Sequence, residues 1–233
     1  MLMNIKLLFD SHAIHPHFKT GWGFSCLVND AILFDVGKSS KALRHNLHLM
    51  AIDPTSIKSI IISHDHHDHA GALNKLLTFA DPESIYLCPH SRISITSNKI
   101  ISVSPFCVID KQVFSSGELV GLYNKQLIVE QVLILKGTRG LTILTGCAHP
   151  SITTIVTVVK THFPHDPIDL FIGGFHLYRK NQMEIESLIR TLQSLQVKRI
   201  APLHCSGTLA KKLFKKHYQE NCLELKVGET ITL

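Results

Sequence analysis

Short apolar runs alternate with turn-forming residues along most of the chain, and this pattern predicts a mixed α/β fold. Runs rich in Val, Ile, Leu and Phe, bounded by Gly, Pro, Asn or Asp, are typical of buried strands. They occupy residues 5–9, 24–29, 31–34, 59–62, 84–88, 100–109, 127–135, 141–144, 169–172 and 199–201. The Asn29-Asp30 pair between the second and third runs predicts a hairpin.

Other segments carry apolar residues at helical spacing. They predict helices over residues 38–50, 151–160, 183–195 and 209–218, and the same spacing resumes at Leu73, Leu76 and Leu77. Ser39 or Ser40 can cap the first helix. The middle of the chain is mostly sheet, and helices alternate with strands toward its end. We therefore predict a single α/β domain over residues 1–233.

Composition excludes several broad classes of protein. With 45% hydrophobic and 18% charged residues, the chain has enough apolar surface to fold, which excludes global disorder. No long uncharged apolar stretch is present, and the strand-like residues 1–10 lack a small-residue cleavage site, so we expect neither a membrane span nor a secretory signal. Six cysteines without a CxxC pair favour reduced thiols and a cytoplasmic location.

The charge balance gives a weak indication of the partner. The chain has 24 Lys and Arg against 18 Asp and Glu, a net charge of +6 that favours an anionic small-molecule substrate. Lys211, Lys212, Lys215 and Lys216 are clustered, but such a run is more typical of a solvated helix face. With only 7% aromatic residues, the chain is not expected to bind nucleic acid. The oligomeric state is left open.

Histidine is the unusual residue, with 16 in 233, and the clearest cluster is His64-x-His66-x-Asp68-His69. The cluster lies between the predicted strand 59–62 and a helix. In an extended segment, residues two apart point the same way, so His64 and His66 can bind one ion. The turn that follows can direct Asp68 and His69 toward a second ion. Imidazole and carboxylate suit zinc, and also Mn or Fe, so we predict two adjacent divalent metal sites.

The same alternation assigns the intervening residues to other positions. Asp65 and His67 are predicted to face solvent or to support the ligands. The alternative for the whole run is an exposed polar junction that binds metal only adventitiously.

Three later strands also end at possible metal ligands. Cys147 and His149 follow the strand 141–144, while His176 and His204 follow glycine-rich or proline-containing strand ends. We predict that His149 and His204 are ligands. Cys147 is either a ligand or an ordinary core cysteine. His176 is a ligand, a substrate contact or proton donor, or a structural histidine bonded to backbone.

Asp35 ends another buried strand, in the sequence Leu33-Phe34-Asp35-Val36-Gly37. A carboxylate there can accept a hydrogen bond from the distal nitrogen of a ligating histidine and so orient that ring. A turn aspartate or a helix cap is the equal alternative.

These motifs together resemble the metallo-β-lactamase-fold superfamily. The histidine run and the Asp35 segment resemble its signature, and residues 145–150, 172–177 and 202–207 resemble its branch of dihydropterin-phosphate synthase-like metal-dependent hydrolases. The resemblance extends from about residue 21 to about residue 228. It implies an α/β fold of the αββα metallo-β-lactamase-like sandwich type, with the metal site along one edge.

The resemblance also implies a ligand set and shows where this chain departs from the family. His64, His66 and His149 would bind the first ion, and Asp68, His69 and His204 the second. Cys147 stands where many members have a bridging aspartate. Ser151 stands where a glycine is usual, Ser206 replaces a threonine, and Gly71-Ala72 replaces a double glycine.

The expected activity is that of a metal-dependent hydrolase with a metal-activated hydroxide. Asp68 would orient the nucleophile, and His176 would donate a proton or hydrogen bond to the leaving or developing oxyanion. A phosphoester or phosphoanhydride of a small molecule is preferred over a lactone or thioester as substrate. The alternatives are a nucleic-acid-processing protein of the same fold, a pterin-pyrophosphate transferase, and a non-catalytic metal-bound regulator.

Overall fold

The computed structural model describes residues 3–233; the first two residues of the predicted strand-like start lie outside the described part. The strands are β1 (Asn4–Phe9), β2 (Ser25–Val28), β3 (Ile32–Phe34), β4 (Ser59–Ile61), β5 (Ser84–Leu87), β6 (Ile100–Ser102), β7 (Cys107–Asp110), β8 (Val113–Ser115), β9 (Leu119–Tyr123), β10 (Gln126–Glu130), β11 (Leu133–Gly137), β12 (Gly140–Thr145), β13 (Ile168–Gly174), β14 (Arg199–Leu203) and β15 (Thr230–Thr232). The helices are α1 (Ser40–Leu49), α2 (His67–Ala70), α3 (Leu73–Leu76), α4 (Ile152–His162), α5 (Gln182–Ser194) and α6 (Thr208–Tyr218). The chain divides into two compact units, one containing residues up to 104 together with 225–233, and the other residues 105–224.

The first unit contains a seven-stranded sheet in the order β15-β1-β2-β3-β4-β5-β6. Asn29 and Asp30 both adopt left-handed φ angles, 51° and 57°, so the predicted β2–β3 hairpin forms. Strands β3 to β6 are parallel, and β4 leads to the histidine run. Leu43 and Leu47, on one face of α1, are fully buried in the same core cluster as Leu33. Burying each such side chain contributes about 1.5–3 kcal/mol.

The second unit contains a six-stranded sheet in the order β14-β13-β12-β11-β8-β7, together with the separate two-stranded sheet β10-β9. The three strands β12, β13 and β14 are parallel. Every residue of β13 is buried, as expected for a central strand of a parallel sheet that is covered on both faces. The carboxyl ends of these three strands carry the predicted site residues at 147–149, 176 and 204.

All four predicted helices are confirmed, and so are most of the strands. Two predicted strands were wrong, because each of them divides between different sheets. Residues 100–109 form β6 and β7 on either side of Pro105, which has no N–H for a sheet ladder. Residues 127–135 belong to β10, which ends at the buried Glu130, and to β11, which begins at Leu133 after the buried Gln131. The strands β8, β9 and β15 were not predicted.

Two further expectations concern the chain as a whole. A single domain over residues 1–233 stays a prediction. Within residues 3–233, no helix is long and apolar enough to cross a membrane.

Candidate metal centre

The two histidines that follow β4 hold a spacing suited to one metal ion. His64 is buried and His66 is half-buried, and His64 Nε2 lies 3.1 Å from His66 Nδ1. Tetrahedral zinc with Zn–N bonds of 2.0–2.1 Å places two ligand nitrogens about 3.3–3.4 Å apart. Since the two nitrogens already lie close to that separation, the pair can share one ion with little rearrangement.

A second pair of donors comes directly after the first. The chain turns into α2 at His67, and Asp68 Oδ2 lies 3.8 Å from the Nε2 atom of the buried His69. His67 itself is exposed, and Asp65 accepts a hydrogen bond from the Arg92 N–H at 3.1 Å. The structure therefore separates Asp65 and His67 from the four candidate ligands, in the way that the side-chain alternation predicts.

Asp35 organises these histidines from behind. This buried residue accepts hydrogen bonds from His69 Nδ1 at 2.7 Å, from Ser63 Oγ at 2.8 Å and from the Ser63 N–H at 2.7 Å. Ser63 Oγ in turn lies 2.8 Å from His64 Nδ1. Through these bonds one carboxylate holds the proton of both rings on Nδ1, which makes Nε2 the metal-ligating nitrogen. A helix-cap role for Asp35 is wrong, because Ser39 caps α1.

The pKa of Asp35 reflects two opposing effects. Burial raises the pKa above its ordinary value, although His69 and the Ser63 hydrogen bonds each pull it down. The residue also has a left-handed φ of 56°, a conformation that aspartate tolerates better than most residues.

Glu130, in the second unit, accepts a hydrogen bond from the Nδ1 atom of His149, as Asp35 does from His69. This residue was not predicted from the sequence. Its Oε2 accepts from His149 Nδ1 and from the His149 N–H, both at 2.9 Å. Its Oε1 accepts from Thr145 Oγ1 at 2.8 Å and from the Cys147 and Ala148 N–H groups at 2.9 Å. Burial alone would raise the pKa of Glu130, but the hydrogen bonds from His149 and the backbone lower it to about 2. Glu130 is thus an ionised acceptor that holds the proton of His149 on Nδ1.

The sequence did contain a signal for Glu130. A carboxylate inside the mainly apolar run 127–135 is rarely buried without a partner, so its position indicates a buried acceptor.

The ends of β12, β13 and β14 bring together five potential ligands within the second unit. The donor atoms of Cys147, His149 and His176 lie within 4.8 Å of one another, and so do those of Cys147, His204 and Cys205. Cys147 is common to both groups. Cys205 was not among the predicted site residues. It follows His204 directly, and the strand-end pattern predicted only His204 as a ligand.

His176 and Cys205 are joined by a further contact. His176 is half-buried with a left-handed φ of 51°, and its N–H donates to Cys205 Sγ at 3.3 Å. The buried His176 Nδ1 has no hydrogen-bond partner among residues 3–233. One predicted role of His176 was a structural ring bonded to backbone, and this nitrogen gives that role no support. Burial raises the pKa of the Cys205 thiol, but hydrogen bonds to Cys147 and His176 outweigh burial and leave the pKa well below its ordinary value.

The side chains at this site carry the donor atoms that zinc and similar ions prefer. Three buried imidazoles, His64, His69 and His149, each have Nδ1 bonded to a carboxylate or hydroxyl oxygen. This arrangement is characteristic of metal-ligating histidines, whose orientation is set by the hydrogen bond of the other ring nitrogen. Within the first unit the Asp68 carboxylate lies beside His69, and within the second unit the Cys147 thiol lies beside His149.

Two sequence comparisons find proteins that are similar to this chain. The model of the metallo-beta-lactamase superfamily matches residues 26–89. The chain is 28% identical to the 7,8-dihydropterin-6-methyl-4-(beta-D-ribofuranosyl)-aminobenzene-5'-phosphate synthase of Methanocaldococcus jannaschii, over 88% of this chain and 85% of that protein.

Two solved structures are similar over nearly their whole length. One is a metal-dependent hydrolase of the beta-lactamase superfamily, with a TM-score of 0.83, 26% identity and coverage of 99% of each chain. The other is the metallo-beta-lactamase fold protein YhfI from Bacillus subtilis, with a TM-score of 0.68, 14% identity and coverage of 100% of this chain and 99% of that one. The predicted fold class and the resemblance to the dihydropterin-phosphate synthase-like branch are confirmed.

Proposed function

We propose that this chain, whose fold is that of the metallo-β-lactamase superfamily, is a metal-dependent hydrolase of a phosphorylated small molecule. One observation carries the proposal: the buried rings of His64, His69 and His149 are each held through Nδ1 by an oxygen acceptor. Burying these polar groups lowers the stability of the fold. Their presence is explained if Nε2 of each ring binds a metal ion.

The proposed centre holds two divalent ions. His64 with His66, and Asp68 with His69, each supply two donors, whereas a zinc ion in a protein has four ligands. The family resemblance assigns His149 to the first ion and His204 to the second, and Cys147, at the position of a bridging aspartate in many members, is a further candidate ligand. Zinc is the expected metal, and Mn and Fe also fit, because imidazole and carboxylate suit all three.

The metal and the protein groups would have separate tasks. A divalent ion, when bound, would lower the pKa of a coordinated water toward about 7 and polarise the phosphoryl oxygen of the substrate. The Asp68 carboxylate, in the first turn of α2, would accept a proton of the attacking water and orient it. His176 would donate a hydrogen bond or proton to the leaving oxygen.

A phosphoester or phosphoanhydride is the proposed substrate class. The net charge of +6 suits an anionic ligand, and the relative from Methanocaldococcus jannaschii is named as a 5'-phosphate synthase. The word synthase also favours a second candidate function, group transfer from a pterin pyrophosphate. The lysine cluster of α6 does not favour nucleic-acid processing, because Phe214 and Tyr218, the aromatic residues of that helix, are buried and offer no stacking surface.

The experiment compares two neighbouring substitutions on a panel of phosphatase and phosphodiesterase substrates, after reconstitution with Zn, Mn or Fe. Asp68→Asn should abolish turnover and weaken binding of one ion while the protein stays folded. His67→Ala, the matched control on the exposed side of α2, should keep near-normal turnover. If His67→Ala inactivates as severely as Asp68→Asn with the same metal content, the assignment is wrong.

A second arm separates hydrolysis from group transfer. The reconstituted protein is incubated with a dihydropterin pyrophosphate, with and without an aminobenzene acceptor. Release of product that requires the acceptor would replace the hydrolase proposal with the transferase. Release without the acceptor supports hydrolysis.

A further inference from the structure

Two buried thiols in the second unit lie in direct contact. Cys147 and Cys205 are 3% and 1% exposed, and their Sγ atoms are 3.2 Å apart. A disulfide has an S–S length of 2.03–2.05 Å, so the two sulfurs need to approach by little more than 1 Å. The pair is therefore close to bonding distance before any rearrangement of the backbone.

The topology shows why this contact is unusual. Cys147 follows β12 and Cys205 follows β14, and β13 lies between these strands in the sheet. Strands twice removed are about 9.6 Å apart, which is too far for two cysteine side chains to meet across an ordinary residue. The strand between them ends in Gly173-Gly174, which places no side chain in their path.

Gly174 is the residue that makes room for the pair. A Cβ at position 174 would lie 2.6 Å from Cys205 Sγ and 2.4 Å from the carbonyl oxygen of Gly146, closer than packed atoms approach. The His176 N–H then donates to Cys205 Sγ at 3.3 Å and holds this sulfur in place. The backbone around the pair is therefore arranged so that one sulfur faces the other.

We propose that Cys147 and Cys205 form a reversible disulfide when the protein meets a peroxide. One thiol ionises and its thiolate attacks a peroxide oxygen; the O–O bond breaks, a sulfenic acid forms, and the leaving hydroxide takes up the proton that the thiol lost and departs as water. The second thiol ionises in the same way and its thiolate attacks the sulfenic sulfur; the S–S bond forms, the S–O bond breaks, and the leaving hydroxide takes up the second thiol proton to give a second water. In total, two thiols and one hydrogen peroxide give one disulfide and two waters, and a dithiol restores both thiols.

The disulfide would act on metal binding. It removes the Cys147 thiolate from the donors available to an ion, and it restrains Cys205, the residue next to His204. We therefore expect the oxidised protein to bind metal more weakly than the reduced protein. Formation of the disulfide itself does not rest on the proposed hydrolase function.

The test uses the full chain, fully reduced, in metal-loaded and chelator-treated preparations. Each is treated with a small excess of hydrogen peroxide, the remaining thiols are alkylated, and peptides are mapped by mass spectrometry without reduction. The expected result is a linked Cys147–Cys205 peptide, 2 Da lighter than the two reduced peptides, in most chains of at least one preparation. Dithiothreitol should remove the link, and metal content should fall in proportion to it.

Cys107 provides the internal control, because it is half-exposed and therefore more accessible to the oxidant. In Cys107→Ser protein the 147–205 link should form as in the wild type, whereas in Cys205→Ser protein it should disappear. The proposal is overturned if both cysteines remain alkylated, or are oxidised singly, in both wild-type preparations while Cys107 reacts. Linkage of either one to a different cysteine would overturn it as well.

Discussion

Substitution of Glu130 by glutamine should uncouple His149 from the metal, because this carboxylate makes five hydrogen bonds that an amide cannot reproduce. Three donors face Oε1, and two donors, both from His149, face Oε2. Whichever way the glutamine amide turns, its NH2 group meets at least two donors. The less costly orientation points the NH2 toward His149.

This orientation has two consequences. The His149 N–H loses its acceptor, and the remaining bonds become neutral; hydrogen bonds to a charged group are worth about 1.5–3 kcal/mol each, against about 1 kcal/mol for neutral ones. We expect the free energy of unfolding to fall by about 3–5 kcal/mol, as when one partner of a buried pair is removed. In addition, the amide NH2 can donate to His149 Nδ1, which moves the ring proton to Nε2. A protonated Nε2 cannot bind metal, so metal affinity should fall by about 10–100-fold.

Urea unfolding of the chelator-treated protein and metal competition with a chromophoric chelator measure the two effects separately. Glu224→Gln is the matched control, because Glu224 is an exposed carboxylate that only approaches Lys215 at 3.5 Å. The control should change stability by no more than about 0.5 kcal/mol and leave metal affinity unchanged. If Glu130→Gln behaves like this control in both assays, Glu130 does not set the proton position of His149.

Two further substitutions test residues at strand ends. If His176 donates a proton or hydrogen bond, His176→Ala should lower kcat by about 10²–10⁴-fold while metal content stays near normal. Loss of metal would instead identify His176 as a ligand. An unchanged rate with full metal content excludes both roles. Ser151 has φ 77° and ψ 146°, a region that only glycine adopts easily, and its hydroxyl accepts the Thr154 N–H at 3.2 Å as the cap of α4. Ser151→Gly should raise the free energy of unfolding by about 1 kcal/mol, since relief of strain exceeds the few tenths lost from the cap. Ser151→Ala loses the cap and keeps the backbone strain, so it should lower the free energy of unfolding by about 1 kcal/mol. Equal effects of Ser151→Gly and Ser151→Ala in urea unfolding would contradict this explanation.

Local pattern was enough to predict the elements around the first unit's site. The β-branched run before His64 and the alternation of His64 and His66 depend on neighbouring residues alone, and the structure has them as the pattern indicates. The resembling family usually has a glycine where this chain has Ser151, and the positive φ angle at that position gives the physical reason. That backbone angle could not be predicted from the sequence.

Contacts between distant segments were not predictable in the same way. Glu130 reaches His149 across 19 residues, and Cys205 reaches Cys147 across 58. Both contacts depend on strand order, and residues 100–145, where several short strands change sheet, are the part in which periodicity predicted the elements least well. A polar residue inside a strand-like run and a glycine pair at a strand end were the only indications that the sequence offered.

The most direct test of the metal-dependent hydrolase is a titration of chelator-treated protein with Zn²⁺, in which phosphoester hydrolysis is followed against bound metal per chain. The proposed function predicts no hydrolysis without metal, a rate that rises with occupancy, and a plateau at two ions per chain. Hydrolysis that persists in metal-free protein, or binding that saturates below one ion per chain, would contradict it.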